Sequence, residues 1–175
     1  MELSLADQYY LKALGNYPYD MEEAIENLNY AISYNEEHAP AKCMMGRVYM
    51  YYIKDYDAAG KSFYQALQAD INYPDTYKYF SLLRIWQGSY DRAIEIIQRG
   101  IQVPGMDISI LMIHKALIHE YKREWSHAKI VLKRAKLIST DQNRLNHIDN
   151  KLKRIKKKAK SMRVNKKAKK KAKKK

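Results

Sequence analysis

A small residue at Ala24 recurs at Ala59, Ala93 and Ala128, at spacings of 35, 34 and 35. A large apolar residue keeps the same spacings at Leu28, Phe63, Ile97 and Leu132. A second small residue does so at Ala31, Ala66, Gly100 and Ala135, and a bulky one at Met21, Tyr56, Tyr90 and Trp125. Four columns in one register mark an internal repeat, and a period of this length means stacked supersecondary units. Within each unit the small, large and small residues at i, i+4 and i+7 share one face of a helix. The small positions let a neighbouring helix approach, and the large one fills the space between backbones. Upstream of each set stands another small residue, at Ala13, Gly46, Ser81 and Ala116. It lies 8, 10, 9 and 9 residues before the bulky column. This predicts a first helix A, a turn that absorbs the length differences, and a second helix B.

Local signals agree with that unit. Asp20 and Glu23 form a capping-box-like start for the first helix B. Gly15-Asn16 and Tyr17-Pro18 punctuate the turn before it, and Val103-Pro104-Gly105 separates the third and fourth units. Beyond the fourth unit, Ser139-Thr-Asp-Gln142 reads as the start of one more helix. Leu145, Ile148, Leu152, Ile155, Ala159 and Met162 then step by three and four, an apolar seam on a polar helix. A repeat array exposes the apolar face of its last unit, so a helix with such a seam is expected to cap it. A coiled-coil seam for a partner is the alternative, but it spans fewer than three heptads and has no run of acidic partners at the flanking e and g positions.

The columns resemble the tetratricopeptide repeat. The second unit shows Gly46, Tyr49, Tyr56, Ala59, Phe63 and Ala66, and the third shows Tyr77, Gly88, Tyr90, Ala93, Ile97 and Gly100. The resemblance covers roughly residues 6–138. In helix A of the first and fourth units it departs from the family pattern, with Lys12-Ala13 and Lys115-Ala116 at the large-small pair. It implies an all-α, right-handed solenoid of about four helical hairpins over residues 1–138. The capping helix is expected over 139–162 and a disordered lysine-rich tail over 163–175. It also implies that helix A of each unit lines a concave groove that binds a peptide or protein segment. Carried over by register, the groove residues are Tyr10 and Leu14 in the first unit and Cys43, Arg47, Met50 and Tyr51 in the second. In the third they are Lys78, Leu82, Ile85 and Trp86, with Asp75 beside them, and in the fourth Ile113 and Leu117. About half of these are expected to pack neighbouring A helices instead. The Lys/Asn/Arg set with which some family members clamp a C-terminal carboxylate is not reproduced.

Charge divides the chain. All 19 acidic residues lie within 1–150 together with 17 basic ones, whereas 151–175 hold 16 basic residues and no acid. The final stretch carries Arg163, Lys166, Lys167, Lys169, Lys170, Lys171, Lys173, Lys174 and Lys175. Like charges repel and no apolar surface offsets the ordering entropy, which predicts disorder in isolation. Lysines of this kind release counterions from polyanions without reading sequence, so RNA or DNA is the expected contact. Attachment to an anionic membrane fits less well, because no aromatic or apolar anchors are interleaved. A tail that only aids solubility is the third possibility.

Catalysis finds no foothold. The five histidines, at 38, 114, 119, 127 and 147, make no metal-ligand pattern in the sequence. The single cysteine, Cys43, has no nucleophile motif around it and excludes an internal disulfide. There is no glycine-rich phosphate loop. The expected function is therefore a non-enzymatic adaptor, without metal or cofactor, whose groove binds protein and whose tail binds nucleic acid. The alternative is a chaperone-like carrier that shields an apolar client segment, with the tail incidental. The N-terminal residues show neither the basic nor the apolar region of a signal peptide. A cytoplasmic location is expected, or nuclear in a nucleated cell, where the lysine run reads as an import signal.

Overall fold

The computed structural model describes the backbone of residues 3–172 and the side chains of 3–162. The described residues form α-helices and one π-turn and contain no strand. Four hairpins follow the repeat: α1 (Leu5–Asn16) with α2 (Met21–Tyr34), α3 (Ala39–Val48) with α4 (Tyr56–Ala69), α5 (Pro74–Trp86) with α6 (Tyr90–Gly100), and α7 (Ile108–Tyr121) with α8 (Trp125–Ile138). The last helix, α9, spans Gln142–Ala172. Its backbone thus runs past Met162. Over 163–172 this helical backbone differs from the disorder expected over 163–175, while residues 173–175 and the polyanion contacts expected of the side chains of 163–175 lie outside the described residues.

The repeat columns are the core. Ala24, Ala59, Ala93 and Ala128 are fully buried, as are Leu28, Phe63 and Leu132, with Ile97 1% exposed. The bulky column is less uniform: Met21 is buried, but Tyr56 is 38% exposed and works as a surface ring. Small and large residues match in volume. Gly46 faces Phe63, and a Cβ at position 46 would lie 2.6 Å from Phe63 Cε1. Ala13 and Ala116 share their core clusters with the smaller Leu28 and Leu132.

Two compact units divide the chain, Met1–Met106 and Asp107–Lys175. The sequence led instead to one repeat body ending at 138. In the first unit two cores borrow from the next hairpin's first helix. Ala41, Met44, Met45 and Val48 of α3 join Leu28 and Ala31 of α2. Phe80 and Leu83 of α5 join Phe63 and Ala66 of α4. This sharing is the basis of solenoid stability. His38 adds a polar tie: its Nδ1 accepts from the Ala41 N–H at 3.0 Å, and its Nε2 donates to Asp7 of α1 at 3.1 Å.

The length difference in the second hairpin is absorbed inside the helix and not in the turn. A π-turn at Tyr49–Ile53 ends α3, and Lys54, with φ 65°, closes it in the left-handed region. Such a turn takes up one extra residue and rotates the side chains after it around the helix axis.

In the second unit α9 covers the fourth hairpin. Its seam residues Ile148 and Ile155 are 0% and 2% exposed and pack with Ile113, Ala116, Val131 and Leu132. Each such burial stabilises by about 1.5–3 kcal/mol. Asp141 caps the helix by accepting from the Arg144 N–H at 2.6 Å. Ion pairs frame the apolar seam. Arg144 pairs with Asp107, and Lys136 of α8 with Asp149 at 2.7 Å. Glu120 of α7, itself buried, accepts from Arg154 at 2.6 Å and from Lys158 at 2.8 Å.

Glu120 makes acid stability testable. Burial raises its pKa, but the two hydrogen-bonded cations outweigh that and leave it below the ordinary glutamate value. A carboxylate with a lowered folded pKa contributes stability that is complete above the unfolded value, about 4.3. That contribution is lost as pH falls through the lower folded value. Glu120→Gln is expected to cost about 1–2 kcal/mol at pH 7, a charged hydrogen bond's worth reduced because both partners are half exposed. Urea melts at pH 7 and pH 3 check this: the deficit must shrink at the lower pH, and an unchanged deficit refutes the role of the charge.

Candidate peptide-binding face

The A helices of the first unit carry a continuous strip of rings and cations. Arg47 on α3 lies between two tyrosines, its guanidinium 5.0 Å from the ring centre of Tyr17, at the end of α1, and 4.7 Å from that of Tyr79 on α5. Tyr51 meets Tyr79 edge-on at 6.3 Å and Trp86 edge-on at 5.5 Å. Tyr56 extends the strip past Trp86 at 6.3 Å. Lys78 sits over Tyr79 at 4.7 Å and pairs with Asp75 at 3.6 Å. Three hairpins thus contribute to one surface. Cations over aromatic faces contribute about 0.5–1 kcal/mol each where exposed, and more where desolvated.

Solvation of the strip is uneven. Trp86 is 42% exposed, and Tyr51 is half-buried. Burial, with the neighbouring Tyr79, pushes the Tyr51 hydroxyl up to about 12. Tyr10 of α1 and Tyr73, just before α5, hydrogen-bond each other, and burial raises both. Arg47 Nε is buried and finds no hydrogen-bond partner among the described residues. Its remaining nitrogens and the ring faces around it can receive a carboxylate or a backbone carbonyl together with apolar side chains.

The residues expected in the groove divide into three groups. Tyr10, Arg47, Tyr51, Lys78 and Trp86 belong to the ring and cation surface, Leu82 is half-buried beside it, and Leu14 is exposed on α1. Cys43, Met50 and Ile85 do not belong to it: they are 2%, 0% and 2% exposed and pack in the core. Cys43 stands three residues before Gly46, and Ile85 four after Ser81, so each shares the packed face of its helix. Met50, four after Gly46, does so as well. Ile113 and Leu117 lie in the second unit, Ile113 in its core and Leu117 at a separate cleft. Tyr17, Tyr56, Tyr73 and Tyr79 were missed. The sixteen tyrosines of the sequence were the available signal, but nothing local says which of them converge.

Burial also holds the Cys43 thiol up at about 12. The thiolate is the reactive form. Cys43 is therefore expected to resist a disulfide reagent at pH 8 in the native chain and to react stoichiometrically in urea. Rapid native labelling contradicts the sealed position.

One set of metal-capable side chains converges among the described residues. Ligand atoms of His119, Glu124 and His127 lie within 4.8 Å of one another across the α7–α8 turn, a convergence no spacing rule reveals. His119 Nδ1 and a Glu124 oxygen are 2.6 Å apart. Hydrogen bonding to His119, with His127 and Lys122 nearby, lowers the Glu124 pKa. Lys122 and Arg123 within this turn disfavour a cation, so the trio reads as a hydrogen-bonded turn.

These features define an all-α helical-repeat protein with a tetratricopeptide-like fold. No family model and no curated protein matches the sequence. Among solved structures the chain is similar to PilF of Pseudomonas aeruginosa, with a TM-score of 0.72 and 16% identity over 86% of this chain and 70% of that one. It is similar to MamA, with a TM-score of 0.66 and 20% identity over 76% and 77% of the two chains. It is likewise similar to PilW, described as a widely conserved type IV pilus biogenesis factor, with a TM-score of 0.70 and 14% identity over 89% and 80%. At these identities the likeness is one of fold.

Proposed function

We propose that the chain is a non-enzymatic adaptor that binds a segment of another protein on the first-unit strip and a polyanion, RNA or DNA, through its lysine-rich end. The observation that carries the protein-binding part is the uninterrupted run Tyr17–Arg47–Tyr79–Tyr51–Trp86 across three hairpins. Rings with a stacked arginine are the usual anchors of protein interfaces. The separation of a near-neutral body from a basic end supports two attachments on one chain, working in the cytoplasm.

The test replaces Tyr51 and Trp86 together by alanine. Capture of a protein partner by the immobilised chain is expected to be lost, since aromatic anchors of this kind cost about 2 kcal/mol or more, about thirtyfold in affinity. Far-UV circular dichroism must stay unchanged. Undiminished capture by the folded double variant refutes the strip as the binding face. Arg47→Lys, which keeps the charge but loses the stacked plane, is expected to weaken binding less than the double variant.

A further inference from the structure

The second unit holds a cleft of about 680 Å³ that the adaptor reading does not use. It opens between α7, the start of α8 and the middle of α9. Four cationic side chains line it, Arg123, Lys151, Arg154 and Lys158, against one carboxylate, Glu120. Both Glu120 oxygens are already occupied by Arg154 and Lys158. Arg123 and Lys151 have no ion pair among the described residues. Lys151 is half-buried, and burial with repulsion from Arg154 lowers its pKa. An ammonium held in that position is relieved by an anion. The walls also present flat rings. Tyr121 is 53% exposed, and Trp125 is half-buried with Lys158 Nζ 5.8 Å from its ring centre.

We propose that this cleft binds single-stranded nucleic acid, its phosphates on Arg123 and Lys151 and a base against Tyr121 and Trp125. Cations tracking a backbone beside stacking rings are the two parts of a single-strand site. The volume suits a small ligand or a nucleotide or two, and a duplex keeps its base faces hidden. An acidic peptide satisfies the cations but leaves the rings without a function. The strand beyond the cleft continues toward the basic sequence after Arg154. The inference deepens the polyanion part of the proposed function, giving it a site on the folded body in place of a lysine tract alone.

The two tryptophans make the test direct. In the full chain carrying Trp86→Phe, Trp125 is the sole tryptophan. Titration with a short oligo(dT) is expected to quench its fluorescence to saturation. Arg123→Ala with Lys151→Ala should weaken that titration at least about tenfold, and Tyr121→Ala by a similar factor, with circular dichroism unchanged. Arg123→Lys with Lys151→Arg should retain the quench, because phosphate binding needs the charges. Absence of a saturable quench overturns the proposal. So does a quench that the double alanine variant leaves unaltered. Equal affinity for poly-glutamate also overturns it and assigns the cleft to acidic protein. A chain ending at Met162 that keeps the Trp125 quench but loses duplex affinity supports the cleft and the tail separately. Loss of both from that chain, with the fold intact, overturns the cleft.

Discussion

Gly46→Ala is expected to destabilise the first unit by about 1–3 kcal/mol, and Phe63→Leu in the same chain to return most of that loss. The new Cβ would stand 2.6 and 2.7 Å from two Phe63 ring carbons, far inside contact distance. Phe63 is fully buried and packs with Met50, Phe80 and Leu83, so its ring has nowhere to move. Leucine at position 63 recreates the pairing of an alanine with a leucine that the first and fourth hairpins use, Ala13 with Leu28 and Ala116 with Leu132. Phe63→Leu alone leaves a cavity beside Gly46 and carries its own cost. The two single changes should therefore be non-additive, with a coupling of about 0.5–3 kcal/mol. Urea melts of the wild type, both single variants and the double variant measure it. Strictly additive losses contradict the volume match between the two columns.

Removal of residues 163–175 is expected to abolish most duplex binding, and the intact chain should show a steep salt dependence. That segment carries nine basic residues. If about six meet phosphates, the slope of log affinity against log salt is about −5. A fourfold rise in salt then weakens binding by about three decades. Sequence preference should be small, because lysines contact the backbone and not base edges. A labelled duplex titrated at several salt concentrations, against the intact chain and one ending at Met162, measures both quantities. A shallow slope or equal affinity of the shorter chain removes the tail as the anchor. The duplex is the appropriate probe, since the second-unit cleft is proposed to take single strands. Weak residual binding by the shorter chain is assigned to the seven basic residues within 151–160.

The hairpins, the capping helix and the charge division were legible in the sequence because each rests on a local or periodic rule. Ala24, Leu28 and Ala31 lie on one helix face wherever that helix sits, and repetition at 34–35 residues says that the same packing recurs. The alternation of Leu145, Ile148, Leu152 and Ile155 announces a seam in the same way, and Ile148 and Ile155 are its buried members. What the sequence could not decide was which side chains reach the surface together. Met50 and Ile85, four residues after Gly46 and Ser81, both pack in the core on the face of their small residue. Arg47 meets Tyr17 and Tyr79 from residues about thirty positions away on either side, and Glu120 meets Arg154 and Lys158 from 34 and 38 positions away. Contacts at that separation are set by how hairpins stack and by where α9 returns across α7 and α8. The repeat register therefore determined the scaffold, and packing between elements distant in the chain decided the strip and the cleft.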